Sequence, residues 1–318
     1  MERRQFLSGM AALAAPAIST AAESRVLRYV TSAGVVQLDP LSTTIYPTLI
    51  LGLQIFESLY SVDEYLRPSP QMAAGHSIED DGKRWVIRLR DGLRFHDGEP
   101  VLARDCVASI NRWMKRDSCG RTLALRLDAV EAPDDRTVVF RLKQQFPQLP
   151  FVLGKLSPNL LAVMPARLAA TDPNQLLTEL VGSGPFRFVA GEFSLNSFAA
   201  LARFQEYLPR DERPNGASGG RVAKVDRVEW RVLPEPSTQV NALLTGEVDW
   251  INPTLDMIPL LRRNPSIVVK NLDQPGPLRS LSMDPSKPRR RPDRQPRHSP
   301  SNHGGARWQG DHPGGARR

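Results

Sequence analysis

The chain has 318 residues, 41% of them apolar, and carries 28 prolines and a net charge of +8. That length allows one large or two ordinary domains, and the apolar share is enough for a globular core, which excludes a wholly disordered chain. Eight Arg and one Lys stand against three Asp in residues 284–318, so six of the eight net charges lie there; the body is close to neutral, which argues against a nucleic-acid-binding body.

In chain order, residues 1–22 read as an export signal. Arg3-Arg4-Gln5-Phe6-Leu7 supplies a charged start, residues 9–18 a short apolar run, and Ser19-Thr20-Ala21-Ala22 the small residues that a signal peptidase reads. The Arg pair resembles a twin-arginine signal, with the Sec route as the alternative. The run is too short to span a bilayer, so the expected mature protein is exported, soluble and periplasmic. Val26–Val30 then reads as a first strand, residues 32–44 as a loop holding Gly34 and Asp39-Pro40, and residues 49–59 as an apolar segment of helical spacing.

The clearest local pattern follows. Trp85, Ile87 and Leu89 alternate with Arg84, Arg88 and Arg90, which predicts a strand with one apolar face. Asp91-Gly92 predicts a tight hairpin turn, from which Leu93 and Phe95 resume the alternation. His96-Asp97-Gly98-Glu99-Pro100 closes the unit with a second turn, and a helix is expected over residues 102–115 with Val107, Ile110 and Met114 on one stripe. Asp134-Asp135 leads into a strand carrying Val138, Phe140 and Leu142, and residues 147–165 form a Pro-punctuated connection ending in a short helix at 166–168.

Gly182-Ser183-Gly184-Pro185 marks a sharp change of direction before a strand at 186–189, and Val228, Trp230 and Val232 alternate as another. Ser237 is the expected N-cap of a helix carrying Val240, Leu243 and Leu244, with Gly246 as its C-terminal stop; residues 247–251 then re-enter a strand. Residues 284–318 change character, with six Pro, five Gly, three His and eight Arg and only Trp308 as a large apolar side chain. Such a segment buries too little to offset the entropy of ordering it and is expected to be disordered. It reads either as a basic tail for an acidic partner or, the preferred reading, as the product of a GC-rich gene read out of frame.

No catalytic constellation stands out: there is no phosphate loop, nucleophile elbow, zinc-binding helix or paired-Cys site, and no cofactor motif. The body holds two His, His76 and His96, and His96 beside Asp97 reads as a turn-stabilising residue rather than half a triad. Trp85 and Trp230 read as core, and Trp113, beside the helix stripe, as packing. Cys106 and Cys119 lack metal or redox spacing; a disulfide and two free thiols both stay open.

Five of these segments resemble the family-5 extracellular solute-binding proteins, the oligopeptide, dipeptide and nickel binders of ABC importers. They are Phe56-Glu57-Ser58-Leu59-Tyr60, the Asp81-Gly82-Lys83-Arg84-Trp85 approach, residues 89–105, Gly182-Ser183-Gly184-Pro185-Phe186, and residues 225–230 with 244–249, in the family's order and approximate spacing. The resemblance covers about residues 25–281. It implies an α+β, periplasmic-binding-protein-like class II fold: lobe I over residues 23–283 with a subdomain of about 47–181 inserted, the second lobe missing, and a disordered tail at 284–318. It implies a monomeric, non-enzymatic substrate-binding component that gives a small peptide to a membrane ABC permease, with no nucleic-acid partner and no cofactor. Nickel chelates, haem or glycans are the alternative ligands, and an interaction protein acting through its basic tail is the alternative function. The ligand-facing residues it implies are Ala33, Gly34 and Val35, in the loop after the first strand. A chain with half a cleft is expected to be marginally stable and to bind peptide poorly.

Overall fold

The computed structural model describes residues 25–156 and 159–270. The export signal and the basic tail therefore lie outside the described residues. In chain order the elements are β1 (Val26–Thr31), α1 (Tyr46–Ile55), β2 (Tyr60–Val62), β3 (Pro68–Pro70), β4 (Ala73–Glu79) and β5 (Arg84–Leu89). Then come α2 (Ala103–Met114), α3 (Ser118–Arg126), β6 (Leu127–Asp134), β7 (Thr137–Leu142), α4 (Leu149–Gly154) and α5 (Ala166–Ala169). The chain continues through β8 (Phe186–Phe188), β9 (Phe198–Arg203), β10 (Arg227–Val232), α6 (Pro236–Leu244) and α7 (Ile258–Leu261).

The first and last parts of the chain build one four-stranded sheet, in the order β1-β10-β9-β8. β1 and β10 run parallel, with Tyr29 opposite Trp230; β9 and β8 are antiparallel additions. Alternation along the strands divides two apolar layers. Val30 joins Val240, Ala242, Val248, Ile251 and Leu261 on one side. Val228, Trp230, Ala199 and Leu201 join the larger core on the other.

The inserted stretch builds a second four-stranded sheet, entirely antiparallel, in the order β4-β5-β7-β6. Its Trp85, Ile87, Leu89, Val138 and Phe140 are buried together with Ile110 and Trp113 of α2. The same core includes Phe56, Leu59 and Leu153, so one continuous apolar body serves both sheets.

Where the chain crosses between the two sheets, buried polar contacts hold it. Arg112 of α2 and Asp39 of the loop before α1 are 2% and 1% exposed and meet at 2.6 Å. Asp39 also accepts from the Leu41 N–H, and the Arg112 Nε donates to the Thr171 carbonyl. At the return crossing, the Gly184 N–H donates to the carbonyl of Ile55, the last residue of α1. A Cβ on Gly182 would stand 2.1 Å from that same carbonyl oxygen, and one on Gly184 2.6 Å from the Gln54 oxygen. Only glycine permits so close an approach of backbone to backbone.

Several expectations need correction. The helix expected over 49–59 starts at Tyr46, because Pro47 suits a first turn, and ends at Ile55; Phe56 and Leu59 are buried on extended backbone instead. Leu93–Phe95 does not fold back on β5. Its partner is the segment just beyond the second turn, with Phe95 N–H to Glu99 O at 2.8 Å and Val101 N–H to Leu93 O at 3.0 Å, and β5 is paired with β4 and β7. Ser237 lies inside α6; Glu235 is the N-cap and makes no side-chain capping bond, and Pro236 opens the helix. Gly246 does end it, at φ 75°. Residues 247–251 contribute a single bridge, Tyr29 to Trp250, rather than a strand.

Removing Asp39 strands a buried guanidinium, which costs about 3–5 kcal/mol. Urea unfolding of Asp39→Ala is expected to show a loss of that order. The double variant Asp39→Ala/Arg112→Met is expected to recover part of it, because the orphaned charge is gone. A single variant within about 0.5 kcal/mol of the parent would show that the pair is not what holds the crossing.

Candidate ligand-binding site

Two parallel strands, β1 and β10, end at the same border of the sheet, so the loops that follow them lie side by side. Such borders leave backbone groups without ladder partners, which is why ligands collect there in parallel arrangements. The loop after β1 is held from behind. The Thr31 Oγ1 donates to the Ala33 carbonyl at 2.9 Å. The Gly34 N–H donates to the Asn196 Oδ1 at 3.1 Å, and the Asn196 N–H donates back to the Val35 carbonyl at 3.1 Å. Asn196 sits at φ 56°, a left-handed position that Asn tolerates better than most residues. A Cβ on Gly34 would come within 2.2 Å of the Asn196 Oδ1, so this contact requires glycine.

The three residues implied by the resemblance separate in the structure. Ala33 is exposed, whereas Gly34 and Val35 are buried. Val35 belongs to the main core, and the side chain exposed beyond it is Val36, at 40%. What the loop offers outward is backbone: the Ala33 and Val36 N–H groups have no partner among the described residues. Tyr29, in β1 just ahead of this loop, joins Trp230 of β10 and Trp250 in a cluster of three aromatic rings. Tyr29 packs edge-on against Trp230 at 4.7 Å and Trp250 at 6.4 Å, and the Asn252 Nδ2 donates to the Tyr29 hydroxyl at 2.8 Å. Burial, and then the nearby Tyr46 hydroxyl, raise the Tyr29 pKa above the usual tyrosine value. Trp250 is 48% exposed and Tyr46 64% exposed.

Sequence reasoning missed the aromatic cluster and the Asn196 clamp. The cluster had a faint signal in Trp250-Ile251-Asn252, a large aromatic and an amide at a strand end. The clamp had none, because residue 196 is 162 positions from Gly34.

His96 is not a turn residue in the expected sense. Its turn is closed by other groups, Gly98 N–H to Phe95 O at 2.9 Å and Glu99 N–H to Asp97 Oδ1 at 3.2 Å. The imidazole instead reaches the Gly-Ser-Gly loop, where the Gly182 N–H donates to its Nδ1 at 3.3 Å and its Nε2 meets the Gly184 carbonyl at 3.0 Å. Those partners fix the neutral ring with the proton on Nε2. Desolvation lowers its pKa to about 4, with the Gly184 hydrogen bond acting the other way. Asp97 turns away to pair with Arg167 at 2.9 Å, so no His–Asp dyad forms. Cys106 and Cys119 are free thiols, and burial raises the Cys106 pKa. Trp85, Trp113 and Trp230 are all core, at 4%, 1% and 2% exposure.

The sequence profile of the family described as bacterial extracellular solute-binding proteins, family 5 Middle, matches residues 67–294. A probable peptide ABC transporter periplasmic-binding protein of Sinorhizobium fredii is 38% identical over 249 residues, covering 77% of this chain and 46% of that protein. A glutathione-binding protein of Pectobacterium atrosepticum is 25% identical over 235 residues, covering 73% and 43%. Among solved structures, the periplasmic binding protein DppA of Helicobacter pylori in complex with a peptide superposes with a TM-score of 0.62 at 24% identity, covering 76% of this chain and 49% of that one. The nickel ABC transporter structure from Bacillus halodurans gives 0.59 at 27% identity, covering 76% and 46%. The class II periplasmic-binding fold expected from the sequence is the one found, and the chain spans about half the length of these relatives.

The His96 contacts carry a pH dependence. A ring whose pKa is about 4 when folded, against about 6.5 unfolded, favours the fold only while neutral. That contribution is complete above pH ~6.5 and is lost as the pH falls toward ~4, to a total of about 3 kcal/mol at most. Urea midpoints at pH 7 and pH 4.5 are expected to differ more in the parent than in His96→Gln. An equal difference in both would assign the acid sensitivity to other groups.

Proposed function

The chain belongs to the bacterial extracellular solute-binding proteins of family 5, and from that premise we propose that it is the substrate-binding component of an ABC importer for di- or oligopeptides. In this reading the exported, soluble, monomeric protein works in the periplasm. It holds a small peptide and presents it to a membrane permease, and no bond in the ligand is made or broken. Consistent with a protein not anchored through this part, no helix among the described residues is long and apolar enough to cross a membrane.

The observation that carries the peptide reading is the backbone ledge after β1. Unpaired N–H groups at Ala33 and Val36, on a segment pinned by Asn196, are suited to pairing with an extended main chain. Such pairing ignores side-chain identity, which suits a carrier of varied peptides. The half-exposed Trp250 and exposed Tyr46, both close to Tyr29 of β1, offer further apolar contact. In a two-lobed binder a ligand acts by favouring the closed arrangement over the open one. The described residues supply one wall of such a cleft. A peptide on one wall stays largely solvated, so we expect weak binding by this chain alone.

Amide-resolved NMR of the 318-residue protein, titrated with a neutral tripeptide, tests both parts. Saturable shifts are expected at the Ala33 and Val36 amides and the Trp250 indole, with a Kd on the order of millimolar. Micromolar affinity would overturn the expectation of weak binding but keep the ligand class. No shift at these positions up to ~10 mM peptide, against shifts there with nickel–histidine, would replace the peptide reading by a metal-chelate one.

A further inference from the structure

We propose that a cavity between the 42–44 loop and the α2–α3 corner is a binding site for a small, multiply charged oxyanion. This inference stands apart from the peptide reading. The cavity has a volume of about 630 Å³, in the range of small-molecule sites. Three cations line it: Lys115 and Arg116 at the end of α2, and Arg121 on α3. Among the described residues no carboxylate lines it, and the remaining lining groups are the hydroxyls of Ser42, Thr43 and Thr44 and the amides of two asparagines. Every lining side chain can therefore donate a hydrogen bond, which suits an anion with several acceptor oxygens.

The charges are left uncompensated by their surroundings. Lys115 and Arg121 make no ion pair among the described residues. Arg116 is held by neutral oxygens, the Asn174 Oδ1 at 2.7 Å and the Ser42 carbonyl at 3.4 Å, which orient its guanidinium without neutralising it. Of the acids close in the chain, Asp117 pairs with Lys155 at 2.7 Å and Asp39 with Arg112, while the exposed Asp172 accepts from the Asn174 N–H at 2.7 Å and does not line the cavity. The corner is rigid, because Asp117 caps α3 through the Gly120 N–H and the Asp39 carbonyl accepts from the Ser42 N–H at the base of the loop. A fixed guanidinium beside two unpaired cations recognises bidentate oxyanions such as carboxylate and phosphate groups. Three positive charges in this volume select a small organic molecule with at least two such groups.

Calorimetric titration of the full chain with citrate, and separately with inorganic pyrophosphate, tests the proposal at ~150 mM salt, where diffuse surface attraction is screened. Lys115 and Arg121 are exposed, so Lys115→Gln/Arg121→Gln is expected to keep the parent thermal midpoint. Saturable binding of either probe by the parent, weakened at least tenfold in the double variant, supports the site, and the stronger probe tells carboxylate from phosphate chemistry. Absence of saturable binding for both overturns it. Equal binding by parent and variant also overturns it, because the anion would then sit elsewhere, for instance on the basic residues of 284–318 that both proteins share.

Discussion

The buried Asp39–Arg112 pair fixes the geometry from which the rest follows. It joins the loop leaving β1 to the helix that backs the inserted sheet, and both partners are almost wholly removed from water. A pair so buried is weak as a net source of stability, because desolvation offsets much of the attraction. Its value lies in what it forbids. Any slip of α2 against the loop would leave a charge with neither water nor partner, which disfavours packings that separate the two. The apolar body spanning both sheets would tolerate many small shifts; the ion pair does not.

The return crossing obeys the same logic with neutral groups. Gly182 and Gly184 bring backbone against the end of α1, and the neutral His96 ring receives one amide and meets one carbonyl of that loop. The chain running to and from the second sheet is thus tied on its way out by Asp39 and on its way back by His96. His96 lies in a segment that carries the family resemblance, whereas Asp39 lies outside those segments. Glu57, inside another of those segments, is likewise buried, accepting from Gln71 at 2.8 Å and from the Tyr207 hydroxyl at 2.7 Å. The resembling motifs of this chain supply scaffold contacts through His96, Glu57, Gly182 and Gly184.

β5, β7, β10 and α2 were legible in the sequence because their apolar residues follow the period of the element. β9 was not: Phe198–Arg203 is rich in Ala, and it is a strand because β10 and β8 flank it. β4 was hidden because it is an exposed edge whose residues after Ala73 show no buried face. α3 begins at a capping Asp117 almost directly after α2 and was not among the expected elements. At the site, the position of the ledge came from the resemblance. Its exposure pattern, with Ala33 out and Val35 in, depends on a turn 162 residues away and could not have been read locally.

Charge illustrates the same difference between counting and placing. The first 283 residues are near neutral, and on composition alone the body has no reason to bind anions. Yet salt bridges remove charges from effect in pairs, and they do so unevenly over the surface. Arg112 and Lys155 are neutralised in the interior by Asp39 and Asp117, which lie next to the α2–α3 corner. Each buried pair takes an acid out of play that might otherwise have faced Lys115, Arg116 or Arg121. The cation cluster on a near-neutral body is favoured by the burial of two neighbouring carboxylates, Asp39 and Asp117, in pairs with Arg112 and Lys155. Its field is local, set by three side chains within one cavity rather than by the net charge of the chain.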